Sequence, residues 1–154
     1  METPAPRPVL VSACLLGRPC RYDGRENRDR VLEAELAERG ETAVPFCPEE
    51  HGGLGTPRPP AWLEKSGADA VLDGAERVLT GEGRDVTAEF LRGARGALEL
   101  CLLQGIQRAY LKERSPSCGV CQTHAAGRLV DGPGLTARLL QRAGIDCRGT
   151  EGRR

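Results

Sequence analysis

A chain of 154 residues is the size of a single domain, since about 100 to 200 residues usually build one core, and a second sizeable domain is excluded. Lys+Arg and Asp+Glu both number 22, so the formal net charge is zero and no basic excess is available to hold a polynucleotide by counterion release. No stretch approaches the roughly 18 uncharged apolar residues of a membrane span, and prolines stand near the N-terminus where a secretory signal carries a basic and then an apolar region; a cytoplasmic protein without a membrane partner is expected.

Residues 1–8 read as an N-terminal tail, followed by one domain over 9–147 and a basic, glycine-containing tail over 148–154 that is expected to fray. The run from Pro8 to Leu16, closed by Gly17, reads as a strand buried on both faces and ending near Cys14. Val31, Leu32 and Leu36 among charges predict an amphipathic helix over 27–39, with Asn27 as cap and Gly40 as stop. A second strand over 42–47 breaks into a loop dense in glycine and proline, from Pro48 to Pro60. Residues 68–80 read as two short strands around the turn dipeptide Asp73-Gly74.

From Asp85 to Gln104, Phe90, Ala94, Ala97, Leu98, Cys101 and Leu102 keep helical spacing, with Asp85 or Thr87 as cap and Gly105 as stop. A third buried strand over 106–112 runs into a loop bearing Ser115, Ser117 and Cys118. Leu135, Leu139, Leu140 and Ala143 mark a last helix, and 145–147 a short edge strand. Strands alternating with helices predict an α/β fold, a single Rossmann-like domain with a mostly parallel sheet flanked by helices.

The seven cysteines are odd in number and too many to be incidental in a reducing compartment, which favours metal binding or catalysis over disulfides. Cys14, Cys47 and Cys118 fall at the C-terminal ends of the three predicted strands, where open α/β sheets place their ligands. Three thiolates are one short of a closed zinc or iron–sulfur site, so a metal there would keep an open position for chemistry. Cys101 lies on the apolar stripe of its helix and reads as core, and Cys147 as structural. Cys118 and Cys121 form a C-x-x-C, which by itself fits a zinc knuckle or a redox dithiol; no second C-x-x-C supports a zinc ribbon, and 122–127 lacks the periodicity that would continue a redox-motif helix. Glu49 and Glu50 follow Cys47 after Pro48, where partial desolvation could fit a carboxylate for acid–base work. The two histidines, His51 and His124, both sit in loops beside cysteines.

Val11-Ser-Ala-Cys14-Leu-Leu-Gly17, Cys20-Arg-Tyr-Asp-Gly24, Cys47-Pro-Glu49, Thr56-Pro-Arg58-Pro-Pro60, Asp85-Val-Thr87 and Lys112-Glu-Arg-Ser115-Pro-Ser-Cys118-Gly119, in this order over residues 9–146, resemble the thiouracil desulfidase family. The resemblance implies a [4Fe–4S] cluster held by Cys14, Cys47 and Cys118, with one iron free to take the sulfur of a thiocarbonyl. It further implies Glu49 as the acid–base that activates water and Ser115 as the proton donor. Arg58 and Ser117 are the expected substrate-binding residues, and Cys20 is kept as a substitute ligand or a neighbouring thiol. No aromatic-bearing strand is read in 122–128.

The expected reaction is hydrolytic desulfuration, C=S to C=O, of a small thiolated pyrimidine such as 2-thiouracil. A non-catalytic zinc or iron–sulfur module, and a thiol redox protein using Cys118 and Cys121, are the rival readings.

Overall fold

In the computed structural model, which describes residues 5–65 and 67–154, the parallel sheet is present and a second, mixed sheet stands beside it. Residues 1–4 of the expected N-terminal tail lie outside the described residues, and Arg7 and Pro8 already belong to the first strand.

β1 (Arg7–Ser12) ends before Cys14 because Ala13–Leu16 close into a 3-10 turn that Gly17, at φ 93°, terminates. α1 (Arg30–Glu38) starts later than expected: its cap is Asp29, whose carboxylate accepts the Leu32 amide at 2.9 Å, and not Asn27. Asn27 is buried and donates its own amide to the Cys14 carbonyl at 2.8 Å, so this segment fastens the turn after β1. β2 (Glu41–Phe46) follows and pairs with β1 in parallel along its whole length. It is an edge strand, which is where Pro45 can be accommodated without losing a ladder bond. β5 (Arg108–Lys112) pairs with the other side of β1, and β8 (Asp146–Thr150) closes the parallel order β2-β1-β5-β8.

β8 continues three residues into the expected C-terminal tail, and Arg154 beyond it is tied to Asp29 at 3.0 Å. The tail is therefore docked. The reason is pairing: each residue from Arg108 to Lys112 of β5 finds a partner in β8.

Alternation along the central strands divides the core. Val9, Val11 and Tyr110 face Leu32 and Leu36 of α1, whereas Leu10, Ala109 and Leu111 face Ala97 and Cys101 of α4 (Thr87–Gln104) and Ala137 and Leu140 of α5 (Leu135–Arg142). Leu102, expected on the buried stripe of α4, is 69 % exposed, while Cys101 is buried as expected.

The segment 68–80 departs from the expected hairpin. Ala68–Leu72 forms a helix, α3, that buries Ala68 and Val71 one turn apart, and only Val78–Thr80 is a strand, β4. Ala and Leu favour helix, and Gly74, at φ 84°, follows the helix end as a stop and not as a hairpin tip. β4 joins β3 (Ala61–Leu63), β6 (Gln122–Ala125) and β7 (Arg128–Asp131) in the second sheet, order β4-β3-β6-β7. The strand in 122–128 was not legible because it has four residues and a polar outer face; Ala126 and Gly127, both at positive φ, supply the two-residue turn into β7.

α2 (Pro48–His51), a single turn after β2, is pressed against α4. A Cβ on Gly52 would run into the Glu89 carbonyl of α4, and one on Gly93 of α4 into the Pro48 carbonyl, so two glycines set how close the helices lie. Gly93→Ala is expected to destabilise the protein. Alanine gains about 1 kcal/mol of helix propensity, but a backbone-on-backbone clash of this kind costs about 1–3 kcal/mol and neither wall can rotate away. Thermal unfolding of the variant checks this, and a raised melting temperature would show that α2 yields.

Candidate active site

β1, β2 and β5 are adjacent, and the chain leaves β1 toward β2 on one side and β5 lies on the other, so their C-terminal ends open on a switch point of the sheet. A cavity of about 410 Å³ lies there. Its walls include Cys14 from the turn after β1, Cys47 from the end of β2 and Cys118 from the loop after β5, together with Glu49, Arg58 and Ser115. Three thiols 33 and 71 residues apart in sequence thus line one cavity because the strands that carry them are neighbours.

Cys20 joins them. It is 2 % exposed and shares thiol hydrogen bonds with Cys14 and Cys47. The ligand atoms of Cys20, Cys47 and Glu50 lie within 4.8 Å of one another. The hydrogen bond with Cys14 is the main reason the Cys20 thiol is pushed up to about 12, with burial adding to it. Cys47 is raised by its bond with Cys20 and by burial, and Cys118 by burial, against the lowering effect of a hydrogen bond with Ser12. As free thiols these groups hold their protons at neutral pH, so a metal binding them releases protons. Four soft sulfur donors on one cavity, three of them buried, fit an iron–sulfur cluster, and a fourth thiol beside three ligands stabilises them by hydrogen bonding.

Glu49 sits on α2, not on an extended segment, and keeps 15 % of its side-chain surface exposed at the cavity wall. Burial pushes its carboxyl above the ordinary range, against the pull of Arg58. Glu50, one residue on, is held by Arg18 at 2.9 Å and by the Thr56 hydroxyl at 3.0 Å, so its carboxylate is already committed.

Arg58 is a strut. Its side chain is 6 % exposed; Nη2 donates to the Cys20 carbonyl at 2.8 Å, Nη1 to Thr56 Oγ1 at 3.0 Å, and Nε lies 3.5 Å from Glu49. One guanidinium thereby fixes the Cys20 loop, its own proline-rich loop and the carboxylate. Ser115 Oγ accepts the amides of Ser117 and Cys118 at 3.1 and 3.0 Å, which turns the chain so that Cys118 faces the cavity and leaves the hydroxyl hydrogen free to donate.

Glu113, buried at the end of β5, holds the far side of that loop: its carboxylate accepts the amides of Val120, Cys121 and Gln122 at 2.9, 3.0 and 3.3 Å.

Several expectations change. Ser117 is 1 % exposed and is not among the cavity walls, so the substrate contact expected of it has no geometric support. His51 is exposed, is not among the cavity walls, and packs its ring 5.0 Å from that of Phe46. Cys121 is exposed and outside the cavity, so the C-x-x-C does not place two ligands in one site. Sequence reasoning passed over Tyr22, Trp62 and Lys112 as cavity walls and gave His124 a solvated loop. Trp62 and His124 belong to the second sheet, and only its place two residues after Thr56-Pro-Arg-Pro-Pro60 could have signalled the former.

The model of the family described as 2-thiouracil desulfurase matches residues 9–151. The chain belongs to the 2-thiouracil desulfurase family. Among proteins similar to this desulfurase-family chain is the uncharacterised YbbK of Bacillus subtilis (strain 168), 37 % identical over 139 residues that span 88 % of this chain and 91 % of YbbK. Among solved structures, the [4Fe–4S]-dependent thiouracil desulfidase TudS is similar at 47 % identity and a TM-score of 0.77, covering 93 % of this chain and 90 % of that one. The α/β fold expected for the family is present, and the family resemblance read from the motifs holds over almost the same residues. Among the described residues no helix is long and apolar enough to cross a membrane.

Proposed function

We propose that this member of the desulfurase family removes sulfur hydrolytically from a small thiolated pyrimidine, C=S + H₂O → C=O + H₂S, at a [4Fe–4S] cluster held by Cys14, Cys47 and Cys118. The observation that carries the reading is the meeting of these three thiols with Glu49 and Ser115 on one cavity. When bound, such a cluster supplies a Lewis-acidic iron with one open position for a thiocarbonyl sulfur, and no redox change is required.

The protein's own residues do the rest. Glu49 holds a water at the cavity wall and takes its proton as the oxygen attacks the carbon that bears sulfur; burial, which favours the neutral acid, makes the carboxylate the more willing to accept it. Ser115 donates its hydroxyl hydrogen toward the substrate, since both backbone amides near it are already received by its lone pairs. Arg58 positions the base: its two terminal nitrogens donate to protein oxygens and Nε faces Glu49 as an ion pair at 3.5 Å, so it serves substrate binding through Glu49 and the Cys20 loop. Arg58→Ala is expected to cost about 1–3 kcal/mol of stability, because the Cys20 carbonyl loses its donor in a buried place, and to lower kcat more than it raises KM. A variant with wild-type melting and kinetics would remove the strut role.

Anaerobic purification tests the whole reading. Iron and acid-labile sulfide in near-equal amounts, a brown protein with absorbance near 400 nm, and sulfide release from 2-thiouracil or another thiolated pyrimidine are expected; a colourless zinc-loaded protein that releases no sulfide would replace it with the metal-binding module.

A further inference from the structure

β3 is three residues long, and its two faces do different work. Leu63 is fully buried in the cluster with Val71, Val78 and Phe90, while Trp62, one residue earlier, points to the opposite face and forms part of the wall of the cavity. The strands or turns on either side of Trp62 meet its indole with glycine. A Cβ on Gly81, after β4, would lie 3.4 Å from Trp62 Cη2, and one on Gly127, in the β6–β7 turn, 3.7 Å from Cζ2. Positions 81 and 127 thus put no side chain of their own against the ring, and the indole is what a Cβ at either place would meet. Tyr22, 43 % exposed, stands in the same cavity, with the Arg21 guanidinium 5.9 Å from its ring centroid.

We propose that Trp62 is the platform on which the substrate ring lies, and that it selects planar aromatic thiocarbonyl compounds over open-chain thioamides. The inference rests on the desulfuration reading above. An indole face offers every pyrimidine the same contact, because stacking depends on the π surface and not on the pattern of exocyclic groups, so the platform selects ring over chain while tolerating sulfur at different ring positions. Glycine at 81 matters because a Cβ there already reaches contact distance, so the γ carbons of a larger side chain would press on the indole.

Trp62 is the chain's single tryptophan, so the intrinsic indole fluorescence reports this residue alone. In the anaerobically prepared holoenzyme, uracil, which has no sulfur to lose, is expected to change that fluorescence on titration. Trp62→Leu, which keeps bulk without a π face, is expected to weaken uracil binding, read by calorimetry, and to raise KM for 2-thiouracil by about 5- to 150-fold. Its iron content and kcat stay near wild type, and KM for thioacetamide, an open-chain thioamide, does not move. Trp62→Phe restores most of the affinity. Gly81→Val, which crowds the indole with the tryptophan still in place, raises KM for 2-thiouracil in the same direction and reads the proposal if Trp62→Leu loses iron. Uracil affinity and 2-thiouracil KM unchanged in Trp62→Leu would overturn the platform, and so would an equal loss for thioacetamide. Sulfide release and uracil binding are separate readouts: a wild type that binds uracil through Trp62 but releases no sulfide removes the desulfuration reading and leaves the platform standing.

Discussion

Cys14→Ser, Cys47→Ser and Cys118→Ser each abolish the iron, the absorbance near 400 nm and the sulfide release, whereas Cys101→Ser keeps all of them. The reason is the number of ligands. Three thiolates already leave one iron open, and losing one leaves two anchors for four irons, with a hydroxyl oxygen too hard a donor to replace a thiolate. Burial enlarges the effect, because Cys14 and Cys118 are 7 % and 5 % exposed and solvent cannot step in as a ligand without reorganising the walls. Cys101 is also buried, at 1 %, but among Leu10, Ala97 and Leu140 and not on the cavity wall. Its serine variant puts a hydroxyl into an apolar pocket and costs about 1–3 kcal/mol, seen in melting and not in iron content. Cys121→Ser, at an exposed thiol outside the cavity, leaves the iron in place. Iron lost from Cys121→Ser and retained by Cys14→Ser would sink the assignment of the site to the three strand ends.

Glu49→Gln keeps the brown cluster and binds substrate with near wild-type affinity, but its kcat falls by about 10²- to 10⁴-fold, the usual worth of general-base assistance. The amide is close in shape to the carboxylate and can still face Arg58, so the geometry of the wall is retained while the proton acceptor is lost. Glu50→Gln is the control. Glu50 accepts from Arg18 and Thr56 and is already partnered, so its amide variant changes surface pairing and leaves turnover within a few fold. Full activity in Glu49→Gln would move the base elsewhere in the cavity, with His124 the group to test; a dead Glu50→Gln beside an active Glu49→Gln would reverse the two roles.

Much of this site was legible in the chain itself. Buried apolar runs that stop at turn formers define β1 and β5, a short run broken at Pro48 marks β2, and the cysteine after each follows from that pattern, since open α/β sheets place their ligands at the C-terminal strand ends. The α4 periodicity and its Gly105 stop are likewise local properties, and the helix ends there with Gly105 at φ 65°. The linear motifs sufficed to reach the family, whose resemblance implied the iron–sulfur cluster, while the cysteines by themselves pointed only to a metal or catalytic site with an open position.

Tertiary structure alone decided the rest. Whether Asp73-Gly74 turns a hairpin or ends a helix depended on Ala68 and Val71 finding the core at helical spacing. The strands β3, β4 and β6 have three, three and four residues, too few for a period to show, and they exist because their neighbours pair with them. Since the second sheet carries Trp62 and His124 to the cavity, the wall opposite the thiols could not be read from the sequence. The same holds for Arg58 and Ser117. Their types suited a substrate contact equally well, but packing turned the arginine to carbonyl oxygens and to Glu49, and buried the serine away from the cavity, because a side chain's partners are set by segments distant in the chain.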